Sequence, residues 1–309
     1  MSVMSWCASL NAQINLVVNG SFEDYSACPA DQYNLSYCIG AFNPCLPSTS
    51  DYFNTCAPLS ASIAVPKNNM GFQHPYDGEG YTGLHLMVMQ QYREYLQVKL
   101  KEPLQADTTY HISFYVSLAN KSNFTSNDLG AVFTSDSICY PDYLWEFMEA
   151  EWMPDNTPLI TDTLGWLKLE GDYTAQGGEE WIILGSFLDQ PFMQPLSLVL
   201  EGYAFIYIDG LSIEEKYPDA ELIVPNIFTP NGDGKNDYFR LTDEGVTGKS
   251  VQVVNRWGQT VYTGEDQFSW DGTINGEPCQ EGVYYYIIRC SDGKTGSPLS
   301  RTGFVHLMR

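Results

Sequence analysis

The stretch FTPNGDGKNDYF, Phe228 to Phe239, sets three oxygen-bearing side chains, Asn231, Asp233 and Asp237, among three turn formers, Pro230, Gly232 and Gly234. Oxygen donors in a tight loop suit Ca²⁺, but the twelve-residue EF-hand count fails in both registers. With Asn231 first, Lys235 takes the fifth position and Asn236 stands where Gly is required; with Thr229 first, Arg240 takes the place of the bidentate Glu. Two expectations follow. The loop binds Ca²⁺ loosely through Asn231, Asp233 and Asp237, or, as the favoured reading, Pro and Gly set the turn while Asp and Asn side chains bond nearby backbone N–H groups.

A second pair of acids lies far apart in sequence: Glu23 in NGSFE and Asp209 in YIDGL. If the first and last strands of a jelly roll lie side by side, these two carboxylates converge, and a structural Ca²⁺ is the cofactor such a pair would take. The plainer reading is a turn and two solvated acids. Gly78-Glu79-Gly80-Tyr81-Thr82-Gly83 matches a dinucleotide fingerprint in letters only, because no strand precedes it and Asp77 and Glu79 would repel a pyrophosphate. It reads as a turn into the strand LHLMVM. The histidines, His74, His85, His111 and His306, are scattered, and neither a nucleophile elbow nor a phosphate loop occurs, so an enzyme is the least favoured class. Trp166 and Trp181 stand in alternating strands and are expected in the core; Trp145 and Trp152 flank an acidic, helix-like insertion and are expected to form an exposed stacking platform.

The elements that must hold these residues are short runs of β-branched and aromatic residues divided by Gly, Asn, Asp and Pro. Among them are INLVVNG, YHISFYVSLA, GWLKLEGDYTA, EWIILGSF and FIYIDGLSIEE. They predict an all-β protein, a sandwich or barrel first. Only Asp142–Glu151 reads as a helix, with Tyr143, Phe147 and Ala150 along one face. Near Tyr217-Pro218-Asp219 the charge balance shifts, from 7 Lys+Arg against 26 Asp+Glu in residues 1–218 to 8 against 12 in residues 219–309. The domain boundary is placed there, giving 13–217 and 218–309. A net charge of −23 without a basic run argues against nucleic acid and anionic lipid as partners. No apolar run reaches the ~18–20 residues of a membrane span.

Residues 1–12 read as the tail of a secretory signal ending at Leu10-Asn11-Ala12. Cysteine usage agrees: Cys28, Cys38, Cys45 and Cys56 crowd a loop-forming stretch with no zinc-type spacing, which implies disulfides and an oxidising compartment. The strand VYYYIIR would hold Cys279 and Cys290 about 25–30 Å apart at ~3.3 Å per residue, so those two should not pair.

VPNIFTPNGDGKNDYFRL, VVNRWGQTVYTG, WDGTINGE, EGVYYYIIR and the terminal GFVHLMR together resemble the gliding-motility-associated C-terminal domain, the type B sorting signal of the type IX secretion system, over residues 221–309. The resemblance implies an immunoglobulin-like fold, the type IX machinery as a partner, and a protein secreted or placed on the outer cell surface. LVVNGSFE, GWLKLEGDYTAQGGEEWIILGSF and FIYIDGLSIEE are similar, less sharply, to galactose-binding-like jelly rolls of carbohydrate-binding modules. In that family the opening glutamate and closing aspartate help hold a structural calcium, which implies the role for Glu23 and Asp209. CPADQYNLSYC and DYFNTCAP look like segments of surface proteins with the same jelly roll, and Cys28–Cys56 with Cys38–Cys45 is the preferred pairing among three connectivities.

The leading function is therefore a non-enzymatic secreted or surface binding protein that recognises a glycan or a surface protein. A sugar site would draw on Trp145, Trp152 and Arg93. A structural part of an adhesin or gliding-motility assembly is the alternative, and a polysaccharide-degrading enzyme stands third.

Overall fold

The computed structural model describes residues 14–309 apart from 45–47, 89–91, 140–143, 147, 157, 190–192, 197–201 and 217–219. The expected signal tail, residues 1–12, and Cys45 lie outside the described residues. The chain divides into two compact units between Glu215 and Lys216.

The first unit, Asn15–Glu215, is a β-sandwich. Its strands are β1 (Ala41–Phe42), β2 (Asp51–Asn54), β3 (Gly80–Val88), β4 (Leu96–Lys99), β5 (Thr109–Leu118), β6 (Gly130–Thr134), β7 (Leu167–Thr174), β8 (Trp181–Gly185) and β9 (Tyr203–Glu215). One sheet runs β1-β4-β8-β6 and the other β7-β5-β9-β3-β2. The alternation read from sequence is what sorts the side chains. Along β5, Tyr110, Ile112, Phe114 and Val116 are buried, while His111, Ser113 and Tyr115 point to the opposite face; β7 buries Leu169 and Tyr173 and exposes Lys168, Glu170 and Asp172. The inward residues meet Leu96, Val98, Ile182, Leu184, Ile206 and Ile208 in one core, where each fully buried aliphatic side chain is worth about 1.5–3 kcal/mol.

The outer face of the larger sheet is only half covered. Phe53, Tyr81, Phe205 and Tyr207, all on β2, β3 and β9, face outward but pack with Ala57, Ile63 and Val65 from the segment that leads from β2 to β3. That blanket reaches β5 at Tyr76, which stacks on Tyr115, and Ser117 is buried; beyond it the outward side chains His111 and Ser113 of β5 stay half-exposed and Lys168, Glu170 and Asp172 of β7 stay exposed.

Two sequence expectations are corrected here. Of the expected Asp142–Glu151 helix, Asp142, Tyr143 and Phe147 lie outside the described residues; the described ones form a 3-10 turn, Leu144–Glu146, with one Met148 N to Leu144 O bond at 2.9 Å, and no longer helix. Glu151 and Trp152 both donate their N–H groups to Ala131 O, and Ala131 N returns a bond to Trp152 O, so β6 draws the chain into an extended edge. Met148 and Ala150 meanwhile pack against the cluster around Tyr95, Val132, Ile183 and Phe187. The cysteines also depart from expectation. A Cys28–Cys56 disulfide is present, with Cα atoms 5.7 Å apart, but Cys38 is a free, buried thiol, so there is no Cys38–Cys45 bridge. The Cys38 side chain is drawn into the core, with Asn19 Nδ2 3.5 Å from its sulfur. Burial, then the charges of Asp24 and Glu23, push the thiol well above its ordinary range. Cys139 is disulfide-bonded, and Cys279 and Cys290 are free.

The second unit contains Lys216–Arg309. It is an immunoglobulin-like sandwich whose main sheet runs β10-β14-β13-β11-β12, with β10 (Ile227–Phe228), β11 (Val246–Val254), β12 (Thr260–Glu265), β13 (Gly282–Asp292) and β14 (Pro298–Leu307). Glu221–Ile223 pairs with Thr242–Glu244, and Thr273–Ile274 with Glu277–Pro278. Phe228, Phe239, Trp270, Tyr286, Ile288, Val305 and Leu307 fill the interior, and Trp270 Nε1 donates to Thr273 O at 2.9 Å.

Candidate functional site

The opening segment lies along the closing strand. Leu16 N donates to Ile213 O and Leu211 N to Gly20 O, both at 2.8 Å. Gly20 is required for this approach, since a Cβ there would sit 2.0 Å from Leu211 O. Glu23 and Asp209 are thereby delivered to one loop, Tyr76–Gly80. Glu23 accepts from Glu79 N at 2.9–3.0 Å and from Gly80 N at 2.9 Å; Asp209 Oδ2 accepts from Tyr76 N at 2.9 Å and Asp77 N at 3.3 Å. Gly78, at φ +64°, lies so close to the Glu23 carboxylate that a Cβ would fall 2.3 Å from it. The G-x-G-x-x-G letters thus form the turn into β3, clasped by two acids. Burial pushes the Asp209 carboxyl up to about 7; three backbone N–H groups oppose the shift and the Glu23 charge adds to it.

Asp51 is a parallel case. It is buried on β2, accepts from Tyr33 N at 2.8 Å, and is pushed up to about 7 first by burial, with Glu94 and Asp31 adding to the shift. Its folded pKa exceeds the unfolded value near 3.9, so its contribution is fully favourable below about pH 4 and is lost as pH rises through 7. Asn at this position keeps an oxygen for Tyr33 N–H without the charge. Asp51→Asn is therefore expected to match the parent near pH 4 and to melt several degrees higher at pH 8, as thermal melts at the two pH values will show.

In the loop of the second unit, Asp237 Oδ1 accepts from Asn231 N and Gly232 N at 3.0 and 2.7 Å, and Oδ2 from Gly234 N at 2.8 Å. Asn231 Oδ1 takes Asp233 N, and Asp233 Oδ1 takes Lys235 N. Side-chain oxygens here serve the loop's own N–H groups. Among the described residues no three His, Cys, Asp or Glu side chains gather as metal ligands.

The aromatic platform is corrected. Trp152 is 3% exposed, lies in the main core with its ring 5.9 Å from that of Phe114, and is no stacking surface. The Trp145 side chain lies outside the described residues. Arg93 is 0% exposed; its Nη1 donates to Ser186 O and, at 2.5 Å, to Leu188 O, and its Nη2 to Asp189 O, so it braces backbone and offers nothing to a ligand. Trp166 is partly buried against the covering segment, with Nε1 donating to His74 O at 3.0 Å.

A different surface presents itself on the open half of the five-stranded sheet. Register sets its outward side chains in rows across β7, β5 and β9. Lys168 lies beside Tyr115 and Asp209; Glu170 beside Ser113 and Ser212; Asp172 beside His111 and Glu214. A β-bulge between Asp209 and Ser212, with Gly210 in the left-handed region, bends β9 at the head of these rows. There Tyr76 stacks on Tyr115, with centroids 3.5 Å apart and planes 15° from parallel, and Tyr76 is 45% exposed. Phe72 and His74, also exposed, precede Tyr76 at alternate positions. Below the stack, His111 Nε2 lies 3.2 Å from Glu170, its Nδ1 3.1 Å from Asp172, and Lys168 Nζ 2.6 Å from Glu170. The sequence signals for this surface were the alternating aromatics of FQHPY and the outward positions of TYHISFY, neither of which stands out without the fold.

No curated protein matches the chain. Among solved structures it is similar to the adhesin domain of Epf from Streptococcus pyogenes, at 12% identity over 96% of this chain and 97% of that one with a TM-score of 0.39. Another is the CBM22-1 xylan-binding domain of Xyn10C from Paenibacillus barcinonensis, at 15% identity over 66% of this chain and 96% of that one, TM-score 0.37. No helix among the described residues is long and apolar enough to cross a membrane. Residues 222–307, the sandwich of the second unit, match the CHU_C type IX secretion signal domain, and this signal marks the chain for export to the cell surface or beyond.

Proposed function

We propose that the first unit is a binding module, not an enzyme, and recognises a glycan on the open half of its five-stranded sheet, while the second unit delivers it through the type IX secretion machinery. The observation that carries the reading is the exposed Tyr76–Tyr115 stack beside rows of half-exposed polar side chains on a rigid sheet. An aromatic surface takes the apolar face of a sugar ring, and flanking acids, hydroxyls and imidazole take its hydroxyl groups. A glycan array should give a hit, and Tyr76→Ala should weaken it about tenfold, the ~1.4 kcal/mol of one aromatic contact. A blank array with protein of unchanged melting temperature removes the reading.

Calcium is proposed for the corner of Glu23 and Asp209. Asp209 is a fully buried carboxylate, and the charge that raises it further is another carboxylate, a donor set whose charge suits a hard cation. Glu23 and Asp209 would hold the ion and tie the 76–80 loop to both chain segments. Calcium should raise the melting temperature relative to chelator, and Asp209→Asn should abolish the difference. Equal melting of the parent with calcium and with chelator rules the ion out.

A further inference from the structure

We infer that the outward face of the main sheet in the second unit docks a second copy of this chain, packed sheet on sheet about a two-fold axis through Tyr285. β13 is the middle strand of that sheet. Its inward side chains Tyr284, Tyr286 and Ile288 are buried, and alternation turns Val283, Tyr285, Ile287 and Arg289 to the other side. Register places Phe304 and Val254 on either side of Tyr285, and His306 and then Ile227 beside Val283. Tyr285, Phe304 and Ile227 are 48%, 50% and 41% exposed. Large apolar side chains grouped this openly on one sheet face mark an interaction surface.

The order of residues along β13 selects the occupant. Glu281, exposed at the foot of the strand, stands four residues before Tyr285, and Arg289, also exposed, stands four residues after it. Each is about 13 Å from Tyr285 at ~3.3 Å per residue, with Val283 or Ile287 between. Acid, aliphatic, aromatic, aliphatic, base is a series that complements itself when reversed. A second copy turned over about an axis crossing the strands at Tyr285 lays β13 antiparallel on its counterpart. Tyr285 then meets Tyr285, Val283 meets Ile287, and Glu281 meets Arg289, the last two pairs occurring twice. Both charged groups have capacity for this. Among the described residues the Arg289 guanidinium has no partner, and Glu281 commits only Oε1, which accepts from Arg309 N at 2.9 Å.

Size and field agree with a pair of copies. Five strands about 4.8 Å apart and the ~26 Å from Glu281 to Arg289 make a plane of about 600 Å² before side-chain relief adds to it, within reach of the ~800 Å² per partner of a standard interface. An apolar centre with charges at the rim is the layout of such interfaces, and aligned sheets pack face to face about 10 Å apart. Residues 219–309 carry 8 bases against 12 acids, whereas residues 1–218 carry 7 against 26, so like-charge repulsion between copies is least at the second unit.

Sedimentation velocity of the full chain from about 1 to 100 μM should show the 34.7 kDa species giving way to one of twice that mass. Tyr285→Lys sets like charges against each other at the axis and should leave monomer alone, with the parent's melting temperature. Phe304→Lys, at a second outward position, should do the same, so a folding defect in one variant does not decide the matter. Arg289→Glu faces acid with acid and should weaken the dimer about tenfold, and adding Glu281→Arg should restore it. A chain that stays monomeric throughout overturns the inference. A dimer that survives both lysine variants overturns the assignment to this face, and one that Glu281→Arg with Arg289→Glu fails to restore overturns the axis through Tyr285.

Discussion

Trp152→Ala is expected to lower folding stability by about 3–5 kcal/mol, the cost of emptying a large aromatic from a packed core. The residue is 3% exposed and sits among Phe114, Ala131 and Ile160. Its backbone exchanges hydrogen bonds with Ala131 in both directions, so the cavity opens where the smaller sheet is closed by the segment after the 3-10 turn. Relaxation is limited there because the backbone is held on both sides. Urea unfolding followed by tryptophan fluorescence and circular dichroism will measure the loss. A cost below about 1 kcal/mol would mean that the side chain is surface-exposed. Glycan affinity, measured where the variant is still folded, should stay at the parent value, because the proposed site uses Tyr76 and the β5–β7 face instead.

Replacing both Cys28 and Cys56 by Ser should cost about 3.5 kcal/mol, from the entropy of closing a loop of that length in the unfolded chain. The bond spans a sequence separation of 28 and encloses β1 and β2. Within the loop, Leu35 and Cys38 enter the core and Tyr33 N is tied to Asp51. The double variant is preferable to a reductant, which would also open the disulfide at Cys139. Denaturant midpoints of the variant and the oxidised parent give the difference. If they coincide, the native contacts alone hold this segment, and the cross-link adds nothing.

Strand by strand, much of the fold could be read before any coordinates. The alternation in TYHISFYVSL and LKLEGDYT assigns inward and outward residues correctly, because side chains on a strand must alternate. Among the described residues the helix expected over Asp142–Glu151 shrinks to a single turn, for the opposite reason. A local apolar spacing competes with backbone partners, and Ala131, remote in pattern though near in space, offered hydrogen bonds that an isolated segment could not anticipate. Arg93 misled through composition: a rare cation in an acidic unit looked like a ligand contact, yet its guanidinium satisfies three carbonyl oxygens of Ser186, Leu188 and Asp189. Trp152 misled through its neighbours, since an acidic stretch around an aromatic residue says little about which way the ring turns.

The β-class of both units, the separation of Cys279 from Cys290 and the export signal are legible in the chain alone, because they depend on short-range periodicity or on contiguous motifs. Which groups share a surface follows from the folded chain and from nothing shorter. Glu23 and Asp209 reach the same loop from segments 186 positions apart, and Tyr76 meets Tyr115 while Asp172, His111 and Glu214 line up across three strands. Such encounters are set by strand order, register and a bulge, which are properties of the closed hydrogen-bond network and not of any one segment.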